Sequence, residues 1–406
     1  MKANTYLNTG LLAGVVQCLF FVNTYAESEL GKALISGKAT VDARLRYEHA
    51  EVGSLEDGDA LTIRTRLGYG TGDFHGFNTF IEAEDTTAIN DDEDYSVPAP
   101  SDQKVPGTSI IADPEGTQIN RAWLSYSYTD TTIKLGRQRI YLDNARFIGN
   151  VGWRQSEQTY DAVCLTNNSI PDTRLFYGYL DQKNDIFYNY VEMDTHLINL
   201  SYSGIPNNTL TAYGYLIDFP GIGKPAAANS VDITGVSATG EYSIDDNLSL
   251  KYRIEYAYQE GGDDAPVDYN ADYYHLLFEG ICSGFSLAVG YEALGSDDGK
   301  AGFKTPLATL HAFNGFADLF LSTPKDGLED IYVVVGYKFG PVPVKLIYHD
   351  FESDEGGIDY GSEIDLVASY KITENTTVLA KYANFESDWI GKSDVDRFWF
   401  QLHFKY

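Results

Sequence analysis

A chain of 406 residues is long enough for two or three soluble domains, and its 59 Asp and Glu against 29 Lys and Arg give a formal charge of −30, which disfavours nucleic acid as a partner. Aromatic residues make up 14% of the chain, with 31 tyrosines and only three cysteines. So few cysteines exclude a disulfide framework or a cysteine metal cluster, and the tyrosine excess suits a boundary between hydrocarbon and water.

At the start, Lys2 precedes the apolar run LLAGVVQCLFFV and the residues Thr24-Tyr25-Ala26. This reads as a secretory signal peptide over 1–26, cut before Glu27, with 27–406 as one further unit. The run is too short to cross a bilayer as a helix. Bulky Leu19 and Phe20 after Cys18 argue against a lipid-modified cysteine. Cys164 and Cys282 then remain, read as small lipid-facing or packing residues.

From residue 40 the chain alternates. Over 40–48, Val41, Ala43, Leu45 and Tyr47 share one face while Asp42, Arg44, Arg46 and Glu48 share the other. Residues 61–69 repeat the pattern, with Leu61, Ile63, Leu67 and Tyr69 opposed to Thr62, Arg64 and Arg66. A two-residue period means a strand, and a face with several charges is hard to bury in a dry interior. It fits a water-filled lumen.

A third strand is predicted over 74–87, with Glu82 and Glu84 inward, followed by a polar insert at 88–115. Strands four (118–128) and five (131–140) are separated by Thr129-Asp130. Tight turns at 167–172, 204–208, 245–247, 281–284, 340–343 and 373–376 then alternate with longer joins at 181–194, 220–229, 261–270, 295–327 and 353–361. Short periplasmic turns and long extracellular loops are the habit of outer-membrane barrels. The clearest alternation lies at 248–258 and 364–371, and the chain ends on DRFWFQLHFKY, in which Phe398, Phe400, Leu402, Phe404 and Tyr406 face one way. Counting patterned segments gives about eighteen strands, an even number. The predicted fold is therefore all-β, a transmembrane antiparallel up-and-down barrel with loops folded toward its mouth. Such closure satisfies every backbone group without a sheet edge, as hydrocarbon requires.

On the lumen face fall Arg44, Arg46, Arg64, Arg66, Arg121, Arg174, Lys251, Arg253, Lys338, Lys345 and Arg397, with Glu82 and Glu84 among their counter-charges. Arg397 on the last strand should adjoin the first once the barrel closes, giving a basic stripe at the seam that favours anions in transit. The same charges can instead form salt-bridge ladders that only stiffen the wall. Acidic pairs such as Asp263-Asp264, Asp297-Asp298 and Asp354-Glu355 sit in long loops, where they can meet water or bridge cations to lipopolysaccharide.

Two stretches break the alternation. One is GRQRIYLDNARFIGNVGWRQSEQTYDAV at 136–163, carrying Arg137, Arg139, Arg146, Arg154 and Asp143; the other is GFKTPLATLHAFNGFADLFLSTPKDGLEDIY at 302–332. Both are apolar enough to fold against something, and each is expected to pack into or over the barrel mouth and narrow it. On these two stretches the chain resembles the alginate-export-like outer-membrane porins. The resemblance implies an eighteen-stranded monomeric barrel passing anionic or small hydrophilic solutes, alginate being the substrate of that family's namesake, with the arginines of the first stretch as solute contacts.

Seven scattered histidines, and the lack of a G-x-S-x-G elbow, an H-E-x-x-H pair or a P-loop in the sequence, leave no predicted catalytic, cofactor or metal residue. The leading expectation is an outer-membrane porin for small hydrophilic, anionic solutes, with lipid and lipopolysaccharide as its surroundings. An exporter of acidic polysaccharide and a barrel-based hydrolase are the competing readings.

Overall fold

In the computed structural model, residues 28–90, 94–98, 103–221 and 223–406 are described. The predicted leader at 1–26 and the acidic residues 91–93 lie outside them. A short helix α1 (Glu29–Ile35) precedes the strands β1 (Lys38–Val52), β2 (Gly58–Gly70), β3 (Phe77–Ala88), β4 (Gly116–Tyr128), β5 (Thr131–Gln138), β6 (Thr159–Asn167), β7 (Thr173–Asn184), β8 (Tyr190–Tyr202) and β9 (Asn208–Ile217). The second half comprises β10 (Val231–Ser243), β11 (Leu248–Gly261), β12 (Asn270–Cys282), β13 (Phe285–Leu294), β14 (Leu328–Phe339), β15 (Val342–Glu352), β16 (Asp359–Lys371), β17 (Thr376–Glu386) and β18 (Val395–Lys405).

Each strand pairs antiparallel with the next, and β18 pairs with β1, from Asp42 opposite Lys405 to Val52 opposite Val395. The sheet of eighteen strands is thus a closed barrel, as the alternation predicts. Among the described residues no helix is long and apolar enough to cross a membrane; the strands do the crossing. Their outward rows stay exposed, among them Leu67, Ile133, Leu200, Ile254, Val289, Leu366 and Leu402. Rows of aliphatic side chains facing outward from a closed barrel require hydrocarbon around them.

Several strands run longer than the sequence reading, the first over Lys38–Val52 where 40–48 was expected, and three other boundaries move for local reasons. Phe74 is only bridged to Phe77 and the chain turns there, with His75 and Gly76 at positive φ, so the third strand begins at Phe77. The fifth strand stops at Gln138. The predicted join at 181–194 contracts to 185–189, because β7 and β8 extend past the membrane belt and keep pairing up to Asn184 opposite Tyr190.

The barrel is not hollow. Besides the two stretches at 136–163 and 302–332, the insert after β3, which the sequence reading left as a polar loop over 88–115, turns inward where it is described, burying Tyr95, Val97, Ile111 and Asp113. Phe147 and Phe303 pack on the inner-wall rings of Tyr213 and Tyr273, and Phe320 packs on Phe351, Tyr360 and Phe385. Each loop therefore has an apolar anchor on the wall. The two larger loops are also joined to each other: Ile148 and Leu307 form a parallel bridge, and the Thr309 N–H donates to the Ala145 carbonyl at 2.9 Å. Of the two cysteines among the described residues, Cys164 is buried opposite Lys134 and Cys282 is exposed.

Candidate functional site

Strand register places the seam arginines side by side. Arg44 lies opposite Arg64, Asp42 opposite Arg66, and Arg397 one strand over opposite Ala50. Their inward heads do not meet open water, because residues 152–157 of the β5–β6 loop are laid across them. Arg44 donates to the carbonyls of Trp153 at 2.8 Å, Arg154 at 3.1 Å and Gly152 at 3.2 Å. Arg46 reaches Gln401 at 2.8 Å and Asp113 of the inserted β3–β4 loop at 3.3 Å, with its guanidinium 4.1 Å from the Trp153 ring centre. Arg64 pairs with Asp42, and Arg66 with Glu84 and, at 3.4 Å, with Glu157. Both also donate to the Gln155 carbonyl.

Loop arginines are held in the same way. Arg154 binds Glu48 at 3.0 Å and Asp318 at 2.7 Å, tying wall, first loop and second loop together. Arg397 meets the same Glu48 at 3.2 Å and donates to the carbonyls of Ala317 and Ile110. Arg146 pairs with Glu292 at 2.8 Å and bonds Asn314 at 2.8 Å. Asp143 accepts from Asn199 at 2.8 Å, and Arg253 pairs with Glu255 at 2.6 Å. Burial alone would raise the Glu157 carboxyl, but Arg66 and Arg139 hold it down, at about 2. Strain marks these loops: Asp143, Ala145, Val151, Asn314 and Asp318 all sit at positive φ. A β-branched residue such as Val151 adopts that conformation only when its surroundings dictate it.

The remaining predicted residues stand nearer the water. Arg121 pairs with Glu82 at 2.6 Å, Arg137 with Asp161 at 2.8 Å, and Arg139 with Glu157, their side chains being 20%, 17% and 32% exposed. Beside them a recess of about 190 Å³ opens on β5, β6 and β7, lined by Lys134, Arg139, Cys164, Thr166, Arg174 and Phe176 among others, with no carboxylate in its lining. Lys134 stands 4.7 Å over the Trp123 ring, and Arg174 stands 5.6 Å from Phe176. A larger recess of about 380 Å³ on β10 to β12 mixes Lys251 and Arg253 with Glu241 and Glu279. Among the described residues, no group of three or more His, Cys, Asp or Glu is arranged to hold a metal ion.

Sequence reasoning assigned no role to Lys134, Asp113, Asp318, His311 or Lys381, and overlooked that Trp153 is the centre of the plug. Lys134 and Lys381 show the inward parity of their strands, so alternation could have found them. Nothing local marks Asp113, Asp318 and His311, whose contacts reach residues far along the chain: Arg46 for Asp113, Arg154 for Asp318, and Trp153 and Lys381 for His311.

An eighteen-stranded barrel narrowed by its own loops invites comparison with known channels. The profile of Gram-negative porins matches residues 38–392. The chain belongs to the Gram-negative porin family. This porin is accordingly an outer-membrane channel for small hydrophilic solutes, and family and fold point to a channel rather than an enzyme. Its fold is similar to that of Acinetobacter baumannii OccAB2, with a TM-score of 0.74 and 16% identity over 92% of this chain and 98% of that one. Pseudomonas aeruginosa OccK9 (OpdG) gives 0.73 and 13% identity over 92% and 99% of the two chains. Pseudomonas aeruginosa OpdK, solved with vanillate, gives 0.71 and 12% over 91% and 98%. No curated protein matches this porin.

The expected membership of the alginate-export family is overturned by the porin match over 38–392 and by these structural neighbours. Apolar, arginine-bearing loops are what any large barrel needs to narrow its own mouth. They therefore mark the architecture and do not separate one porin family from another.

Proposed function

We propose that this porin prefers small anions. The observation that carries the reading is the recess on β5 to β7, where Lys134, Arg139 and Arg174 face the lumen without a carboxylate in its lining. Basic side chains along a pore lower the barrier for anions and raise it for cations. Vanillate, found with the neighbouring OpdK, is a carboxylate of the size such a recess accommodates, which supports an organic acid as the solute class.

Of the residues singled out in the sequence, Arg121, Arg137, Arg139 and Arg174 are assigned to solute contact, joined by Lys134. Glu82 tempers them, pairing with Arg121. Arg44, Arg46, Arg64, Arg66, Arg146, Arg154 and Arg397 are assigned instead to holding the loops in place, and Arg253, Glu84 and Asp143 to fixing the lumen wall.

We further assign a monomer as the working unit. We assign the acidic extracellular loops to bridging divalent cations to lipopolysaccharide, and 1–26 to serving as the export signal. Reversal potentials across a planar bilayer, measured in a gradient of dilute potassium chloride, test the solute class. Anion preference that fades with added salt is expected, and a cation preference in dilute salt would overturn the proposal.

A further inference from the structure

Ahead of the barrel, α1 is capped by Ser28, whose hydroxyl accepts from the Gly31 N–H at 2.9 Å. A helix this short does not persist alone in water, so neighbouring contacts hold it. The Gly72 N–H donates to the Ala33 carbonyl at 2.8 Å, the Tyr69 hydroxyl donates to the Leu34 carbonyl, and the His75 imidazole meets Glu29 at 2.9 Å. All three partners belong to the end of β2 and the turn after it, at the periplasmic rim. A Cβ on Gly37 would lie 2.3 Å from the Tyr69 hydroxyl, so only glycine lets the chain pass from α1 into β1 over that ring.

Tyr69 decides which side of the rim the helix occupies. On β2, Arg64 and Arg66 are buried toward the lumen, while Ile63 and Leu67 have the parity of Tyr69 and are exposed outward. The Tyr69 ring therefore stands on the lipid face, and α1 lies against the outside of the rim, clear of the pore mouth. Its apolar side chains point away from the protein: Leu30, Leu34 and Ile35 are 50%, 40% and 51% exposed. Leu30 and Leu34 are one turn apart and share a face. Exposed Phe77 and Ile81 on β3, and Leu124, Tyr126 and Tyr128 on β4, continue the same apolar surface around the rim.

We infer that α1 is an interfacial anchor, lying at headgroup depth in the periplasmic leaflet with Leu30, Leu34 and Ile35 reaching into the acyl chains of phospholipid. Continuity with the lipid-facing belt names the occupant, since the exposed leucines extend a surface that already requires hydrocarbon. Charge agrees with it. Lys32 on the helix is placed to meet lipid phosphates, while the one helical carboxylate, Glu29, is turned to His75. Short helices with an apolar face and a basic residue on the polar side settle in this zone.

The test uses the full chain in liposomes. With Cys282→Ser removing the exposed thiol, Leu30→Cys is labelled with an environment-sensitive fluorophore, and Ser387→Cys on an extracellular loop serves as the aqueous control. Acyl-chain-brominated phosphatidylcholine is expected to quench the Leu30 label about twofold or more, and aqueous iodide to quench mainly the control, as interfacial burial requires. Iodide quenching of both labels alike would overturn the inference. Energy transfer between labelled copies that rises with protein-to-lipid ratio, without lipid quenching, would overturn it by making a second copy the occupant. A label-free measurement compares hydrogen exchange over 31–36 in nanodiscs. Exchange about tenfold faster in the Leu30→Ser/Leu34→Ser variant than in wild type is expected, at unchanged conductance, and equal exchange would overturn the anchor.

Discussion

Trp153 and His311 stack face to face, their ring centres 4.3 Å apart and their planes within 5° of parallel. One residue belongs to the β5–β6 loop and the other to the β13–β14 loop, so the stack clasps the two plugs together inside the barrel. Arg46 and Lys381 place cations 4.1 and 4.3 Å from the indole, and Trp399 on β18 meets it edge-on at 5.8 Å. Wall and loops thus meet on a single ring.

Removing that ring should loosen the constriction without undoing the barrel, whose backbone pairing does not depend on it. Trp153→Ala is expected to weaken loop docking by roughly 3–5 kcal/mol, the usual range for truncating a buried tryptophan. Single-channel recordings should show larger and noisier openings, while the strand content seen by circular dichroism stays the same. Wild-type conductance in the variant would refute the role given to the stack.

Glu48 receives both Arg154 and Arg397 while itself fully buried. Glu48→Gln leaves two guanidiniums short of a counter-charge, a defect costing about 3–5 kcal/mol where a buried pair is broken. A clearly lower unfolding temperature in detergent is expected, together with faster proteolysis of the two loops. Unchanged stability would mean that Asp318 and Asp113 suffice for Arg154.

Ion selectivity should separate wet arginines from buried ones. A unit charge about 8 Å from a passing ion is worth about 0.5 kcal/mol in water, or roughly a twofold change in anion preference per residue. Lys134→Ala, Arg139→Ala and Arg174→Ala should each shift the reversal potential toward cations by that order. Arg64→Ala should shift it less, because Arg64 is buried under Gln155, whereas Arg139, though paired with Glu157, keeps part of its side chain in water. The reverse ranking would return the seam arginines to the pore lining.

Acid should unfasten the loops. Burial pushes the His311 imidazole down to about 3, although Asp318 pulls the other way. Its Nδ1 is 2.8 Å from Asp318 and its Nε2 is 2.8 Å from the Lys381 ammonium, so the neutral ring donates to the carboxylate and accepts from the lysine. Arg154, also on Asp318, opposes a further positive charge. Burial tends to raise Asp318, yet His311 and Arg154 hold it below its ordinary range. An undocked histidine takes up a proton near pH 6.5, whereas the docked one resists until about 3. The undocked state binds more protons in that window, so docking is complete above about pH 6.5 and weakens as pH falls toward 3; Asp318 adds its own loss only below its ordinary range. Recordings from about pH 7.5 down to about pH 4.5 should show rising conductance and noise, and His311→Asn should flatten that response. A flat wild-type profile would contradict the assignment.

Alternation by itself was enough to give the barrel, because side chains along a strand must divide between two solvents and the division is written in every second residue. It also placed Arg44, Arg46, Arg64 and Arg66 on one inner face, and it brought Arg397 to the first strand, since an even strand count returns the last strand to the seam. The two inward loops were readable as well, from apolar residues such as Phe147 and Phe303 in segments with no strand period. The inward turn of the insert after β3 was not, because the stretch is mostly polar and its few anchors, Tyr95, Val97 and Ile111 on Ala50 and Ala60 and Asp113 on Arg46, follow no local period.

Composition and period thus determined the architecture, its membrane and the parity of each charge. Tertiary structure alone decided which charges touch water. Arg46 and Lys134 look alike in sequence, each a basic residue on the wet side of a strand. Folding covers the first with a loop joined more than a hundred residues away and leaves the second beside an open recess. Pairing between such distant residues depends on how the loops cross the lumen, and no local pattern encodes that path.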